Sequence, residues 1–340
     1  MSNDPQKIPS LKTRHFPPPP PLVSQPKGLW SRTPPAIFPP ILGLFGLGLA
    51  WRAMAARPGM YPVAPISDVI LGATLVLFAF ALLAWLSKPL RRPGIILEEL
   101  AVLPGRAGLA AMMLSFSLAA AALVPIAPAV ALGVVSVGLL GLFALGVLIA
   151  WQFITGPQEA RVVTPVFHLT YAGYITAPLA LVPLRYFGIS RAILIGAFIA
   201  AALIWAISLW QLIRRIPPAP LRPLLAIHLA PASLLTTVSA MLGYPVLTLA
   251  FGVLAMAILL ALLVSARWLL SAGVTPLWGA LTFPLAASAS AALWGLGAAG
   301  LWIGWALLLL GSALIPWIAY QVIKGWAKGD LAAKTNAATV

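Results

Sequence analysis

The 340-residue chain contains no cysteine, which excludes disulfides, thiolate metal centres, iron–sulfur clusters and cysteine nucleophiles and leaves the redox compartment open. Charge is almost as scarce. Only 8% of residues are Asp, Glu, Lys or Arg, against roughly 25% in an ordinary soluble protein, and so few charges cannot clothe a water-soluble surface of this size. Acids are the scarcest of all. Asp4, Asp68, Glu98, Glu99, Glu159 and Asp330 make up the whole set, and none lies at the centre of an apolar run. A carboxylate in mid-membrane is the usual device for holding a proton or sodium ion, so tight ion coupling lacks its common residue; His168 and His228 alone could substitute. No clustered nucleophile, carboxylate pair or metal-ligand set is present, which argues against an intramembrane enzyme, a metal site or a cofactor.

What is abundant is hydrocarbon. Apolar residues make up 61% of the chain even with the 28 glycines left out, where soluble proteins reach about 45–50% with glycine included. A helical span uses about 20 apolar residues, and the chain divides into ten such segments: 38–51, 68–86, 107–124, 130–153, 166–184, 192–213, 224–241, 246–270, 277–296 and 301–323. The expected fold is therefore an all-α integral membrane protein of ten transmembrane helices. It comprises a proline-rich, disordered amino tail over 1–33, a membrane domain over 34–326 and a short carboxy tail over 327–340. The 21 Lys and Arg against 6 acids would suggest nucleic acid in a soluble protein. Ten spans place 17 basic residues on the side of the termini and only Arg52, Arg57, Arg185 and Arg191 on the other. That asymmetry is the positive-inside pattern; it predicts cytoplasmic termini in a plasma (inner) membrane and makes nucleic acid unnecessary as a partner.

A second alternation concerns proline. Segments one, five, seven and nine carry Pro39 and Pro40, Pro178, Pro231, and Pro284 inside their bounds; segments two, four, six and eight carry none, and segment ten carries Pro316. An internal proline removes a backbone hydrogen bond and kinks a helix, and in lipid the freed carbonyl needs protein or water. Hydroxyl and imidazole groups follow the same parity, with Ser115, His168, Thr170, Tyr171, Thr236, Thr237 and Thr282 on odd segments. The pattern predicts five hairpins, each with a bent polar inner helix and a greasy outer helix, around a central pathway. Any single hydroxyl serves equally well as glue between helices. Asp68 is expected to cap the second span.

Several stretches then resemble a known family. The run Phe38-Pro39-Pro40-Ile41-Leu42-Gly43-Leu44 continuing through Gly46-Leu47-Gly48-Leu49-Ala50-Trp51-Arg52 is similar to the opening helix of the tellurite-resistance/dicarboxylate transporter family, which includes the bacterial TehA-type proteins and the plant slow anion channels. Ser67-Asp68-Val69, Leu229-Ala230-Pro231-Ala232, and Leu277-Trp278 followed by Thr282-Phe283-Pro284-Leu285-Ala286 resemble its elements in the same order. The resemblance implies five helical hairpins around a pore, a homotrimer, small anions as the permeant partners and Phe283 as the pore gate. It also implies that Leu42 and Gly43 face the same constriction. His168 has no counterpart in the pattern. Pro284 adds a local reason for Phe283, because a residue before proline is held away from α geometry and its ring direction is fixed.

The chemistry expected is passive permeation of an anion, whether chloride, nitrate, tellurite oxyanion or dicarboxylate. A carboxylate-free path bordered by cations concentrates anions, and neutral hydroxyl donors hold them weakly enough to leave. The alternative is a proton-coupled exporter of a small organic anion or metabolite using His168 or His228.

Overall fold

The structure is a computed structural model that describes residues 28, 30–156 and 161–339. Most of the amino tail thus lies outside the described residues. Among those described there is no strand, and the helices follow in order: α1 Phe38–Ala55, α2 Ala64–Arg91, α3 Ile95–Ala101, α4 Leu103–Leu123, α5 Pro128–Thr155, α6 Pro178–Leu181, α7 Phe187–Arg214, α8 Leu229–Met241, α9 Pro245–Val264, α10 Ala266–Leu269, α11 Gly279–Gly295, α12 Gly297–Ala327 and α13 Asp330–Lys334. Among the described residues, nine helical stretches are long and apolar enough to cross a bilayer. This is an all-α membrane protein.

Those nine fall into two groups. In the stretches Pro35–Ala55, Leu103–Leu123, Ala219–Met241 and Pro276–Gly295, between 61 and 78% of the most apolar window is buried by protein; in the five others the share is 28 to 33%. The buried group is the one rich in proline and hydroxyls, and the exposed group presents Leu, Ile, Val and Phe outward. The reason is solvation. An exposed helix in lipid needs a hydrocarbon surface and a complete hydrogen-bond ladder, whereas a buried one can leave the ladder irregular because neighbours meet its polar groups.

The segment over 166–184 corrects the expectation of a tenth regular helix. It is a π turn at His168–Ala172, a 3-10 turn at Gly173–Thr176 and the single α turn α6. It is enclosed nonetheless. Phe167 stacks edge-on against Phe153 near the end of α5, while Ala180 and Leu181 share a core with Ala131 and Val135 near its start. The broken segment therefore runs back along α5.

The prolines also need correction. Pro39 and Pro40 occupy the first turn of α1, Pro178 opens α6 and Pro231 lies in the first turn of α8. Each follows 3-10 turns, over Pro35–Ile37, Gly173–Thr176 and Ala219–His228. A proline cannot donate to the carbonyl four residues back, so the preceding turn tightens to i+3 bonding and the proline falls in the first turn of the α-helix that follows. These four residues start helices and do not kink them in mid-course. Pro284 does lie inside its helix, as do Pro316 and, near the end of α2, Pro89. Asp68 is likewise inside α2, which begins at Ala64 and has no side-chain cap; it faces Arg52 at 4.0 Å instead. At the carboxy end α12 reaches Ala327, and α13 buries Leu331 and Ala332.

Close approach of α1 to α11 sets the centre of the structure. A Cβ on Gly43 would stand 2.3 Å from the Cβ of Thr282, and one on Gly46 would stand 2.9 Å from the ring of Phe283. Gly43→Ala is expected to lower stability by about 1–3 kcal/mol through overpacking, read as a lower unfolding temperature in detergent. Thr282→Gly in the same chain should recover part of the loss, because the Thr282 Cβ is what the new methyl meets. An unchanged midpoint for Gly43→Ala would mean that the helices are not in this contact.

Candidate functional site

Phe283 is 4% exposed and touches three cavities. The largest, about 240 Å³, lies toward the end of the molecule that carries Arg52. Every buried element contributes to its wall: α1 gives Gly46 and Arg52, α4 Leu118 and Ala121, the broken segment Leu179 and Pro183, α8 Leu234 and Thr237, and α11 Phe283 and Ala287. A second space of about 20 Å³ lies on the other side of the ring, and the same five buried segments meet there through Leu42, Ala111, Leu169, Ile227 and Gly279. The third, about 10 Å³, is shared with His168. Among the described residues no Asp or Glu borders any of the three.

Phe283 keeps helical backbone within α11 although Pro284 follows it, so the expected departure from α geometry is not found. What admits the ring is Gly46 of α1, which offers no side chain where the ring edge arrives. Leu42 borders the 20 Å³ space. Gly43 belongs to the packing contact with Thr282, so the glycine at the ring is Gly46 rather than Gly43.

The hydroxyls predicted along the pathway divide sharply. Thr237 borders the large cavity, though its Oγ1 donates to the Ser233 carbonyl at 3.1 Å. Ser115 and Thr236 donate to Ala111 and Ala232, each at 2.8 Å, and the Thr236 methyl packs toward Gly252 and Gly295 on neighbouring helices. Thr282 donates to Gly279 at 2.7 Å and lies 3.1 Å from the Pro39 carbonyl. Tyr171 donates to the Gly146 carbonyl at 3.0 Å, and Thr170 turns its methyl toward the same glycine. Ser115, Tyr171, Thr236 and Thr282 are thus helix-contact residues, because a buried hydroxyl finds a carbonyl on its own or an adjacent helix; the Thr170 hydroxyl is buried with no hydrogen-bond partner among the described residues.

Two features were not foreseen. Arg52 stands in the wall of the large cavity, its guanidinium donating to the Ala121 carbonyl at 3.0 Å and to the Ala122 carbonyl at 3.4 Å. That guanidinium neutralises carbonyls left open at the end of α4. The spacing Gly46, Leu49, Arg52, Ala56 along one helix face was the signal for it. Second, His168 and His228, 60 residues apart, are hydrogen-bonded Nε2 to Nδ1 at 2.9 Å, with His228 Nε2 also 2.9 Å from Ser208 Oγ. Trp205 on α7 closes the cluster by donating to the His228 carbonyl at 3.2 Å. On the far side of His228 an apolar groove of about 430 Å³ lies between α7 and α9. Among the described residues no group of three or more metal-ligating side chains is assembled. Compared as a whole with known protein-family models and with curated proteins, the chain matches none.

Proposed function

We propose that this protein is an anion-permeable channel or passive carrier that crosses the membrane ten times, as five hairpins around a central conduit gated by Phe283. The observation that carries the reading is the position of that ring between spaces whose walls draw on all five buried elements and contain no acid. The broken segment over 166–184 supplies the tenth crossing and returns the carboxy terminus to the side of the amino terminus. With ten crossings the basic residues gather on the cytoplasmic side. The motif resemblance described above supports the same reading and adds the homotrimer. Chloride, nitrate, tellurite oxyanion and dicarboxylate are the permeant candidates.

Electrostatics favours anions over cations. Arg52 lies in the wall of the larger space, and Asp68, the acid near it, is mostly exposed at 4.0 Å. A cation in a low-dielectric wall raises the local concentration of mobile anions. The test is flux and reversal potential in liposomes containing the purified protein, with chloride, nitrate, tellurite and malate compared in turn. Reversal potentials are expected to follow the anion gradient, and Arg52→Gln to reduce anion flux by roughly threefold to tenfold at low ionic strength, less as salt screens the charge. Reversal potentials that follow potassium would overturn the proposal. The His168–His228 pair favours one second reading, a proton-coupled exporter; it requires uphill substrate movement driven by a pH gradient, which passive permeation does not produce.

A further inference from the structure

The hydrogen-bonded series His168, His228, Ser208 has a direction that proton counting can assign. Each neutral imidazole carries one N–H, as suits two buried rings without a carboxylate partner. Asp68 faces Arg52, Glu98 faces Arg92, Glu99 faces Lys88 and Asp330 faces Lys334, all away from the pair. Two orderings satisfy the 2.9 Å contacts. In the first, His168 Nε2–H donates to His228 Nδ1 and His228 Nε2–H donates to Ser208. The serine proton is then unspent and His168 Nδ1 is a bare lone pair. In the second, Ser208 donates to His228 Nε2, His228 Nδ1–H donates to His168 Nε2, and His168 keeps its proton on Nδ1.

Ser208 decides between them. On the outer helices Thr74, Ser136, Ser190, Thr248 and Ser265 each donate to the carbonyl four residues back. Ser208, on outer helix α7, instead has His228 Nε2 as its partner. The second ordering uses its proton and leaves one group over where the first leaves two, and buried polar groups without partners are rare. That group is His168 Nδ1, which has no partner among the described residues and belongs to a side chain 1% exposed. His168 borders the 10 Å³ space beside Phe283, Leu114, Pro231 and Leu234, room for no more than about one water.

We propose that His168 Nδ1–H is an anion-binding donor at the Phe283 constriction, held in that tautomer by His228 and Ser208 as positioning residues. The inference rests on the reading of Phe283 as a gate: when the ring leaves, the small space joins the conduit and the spare N–H meets the partly dehydrated anion. A neutral donor there binds without trapping.

The chain has three histidines, His15, His168 and His228, so nitrogen NMR of the histidine-labelled full-length protein in lipid resolves each ring, with His15→Gln and His168→Phe giving the assignment. Protons on Nδ1 of both His168 and His228 are expected, and Ser208→Ala should shift His228 toward the Nε2–H form. A proton on Nε2 of His168 in the unsubstituted protein overturns the proposal. Conduction supplies the second readout. In a Phe283→Ala background, His168→Phe is expected to reduce nitrate conductance about fivefold and His168→Gln, which keeps an N–H, to restore most of it. Equal conductance with and without His168→Phe also overturns it. A Phe283→Ala protein that folds but is silent would refute the gate itself.

Discussion

Phe283→Ala is expected to raise anion conductance on the order of tenfold or more, because an apolar constriction blocks ions by excluding their water. The ring is the shared boundary of the 240 Å³ and 20 Å³ spaces, so its removal joins them. The effect should be graded with side-chain size. Phe283→Leu is expected to give a smaller rise and Phe283→Trp none. Truncating a buried phenylalanine usually costs about 3–5 kcal/mol; here the vacated space connects with the large cavity and can fill with water, so part of that cost is relieved. Size-exclusion chromatography separates the cases, since a mis-assembled variant would be silent for an uninteresting reason. A well-assembled alanine variant with wild-type currents would show that the ring does not control the path. Gly46→Ala offers an opposite perturbation. Its methyl would arrive 2.9 Å from the ring and 3.0 Å from the Ala286 Cβ, at the wall of the large cavity, so it is expected to lower the current by narrowing the path while the ring stays in place.

How much of this was legible in the sequence differs by level. The membrane class and the division into buried and exposed helices were readable, because proline and hydroxyl content report how completely a helix must satisfy its own backbone. Which face of a buried helix turns inward was not. A core and a bilayer are both hydrocarbon, so the amphipathic contrast that orients a soluble helix is missing. Thr236 and Thr237 show the consequence: they are adjacent in sequence, yet one packs toward α9 and α11 while the other borders the cavity. The break in the segment over 166–184 was also hidden. Its glycine, β-branched residues and Pro178 are individually weak helix formers, but an uninterrupted apolar run reads the same whether it is α, 3-10 or π. His168 and His228 were visible as residues, and their pairing was not, since it depends on a π turn and a 3-10 turn bringing two separate segments together.

The largest stability effect is expected at a pair far from Phe283. Lys88 in the last turn of α2 and Glu99 in α3 form an ion pair at 2.5 Å with both side chains fully buried. Lys88 Nζ also donates to the Thr33 carbonyl at 3.0 Å, and Trp326 of α12 donates to the Thr33 hydroxyl at 3.2 Å. Thr33, the α2–α3 corner and Trp326, three parts of the chain that are distant in sequence, thereby meet at one end of the bundle. Burial pushes the Glu99 carboxyl up from its ordinary range, and the Lys88 ammonium opposes that rise. Removing one partner leaves the other charge desolvated without compensation, so Lys88→Met or Glu99→Leu alone is expected to cost about 3–5 kcal/mol. Replacing both should cost far less, because the desolvation penalty disappears together with the attraction. The measurement is a double-mutant cycle of unfolding free energies in a fixed detergent, with the coupling read as the departure from additivity. Single variants close to wild type would mean that water reaches these charges. A double variant as unstable as the sum of the singles would mean that the two side chains act as separate packing elements, and that the end of the bundle is held by Thr33, Trp326 and the apolar contacts around them.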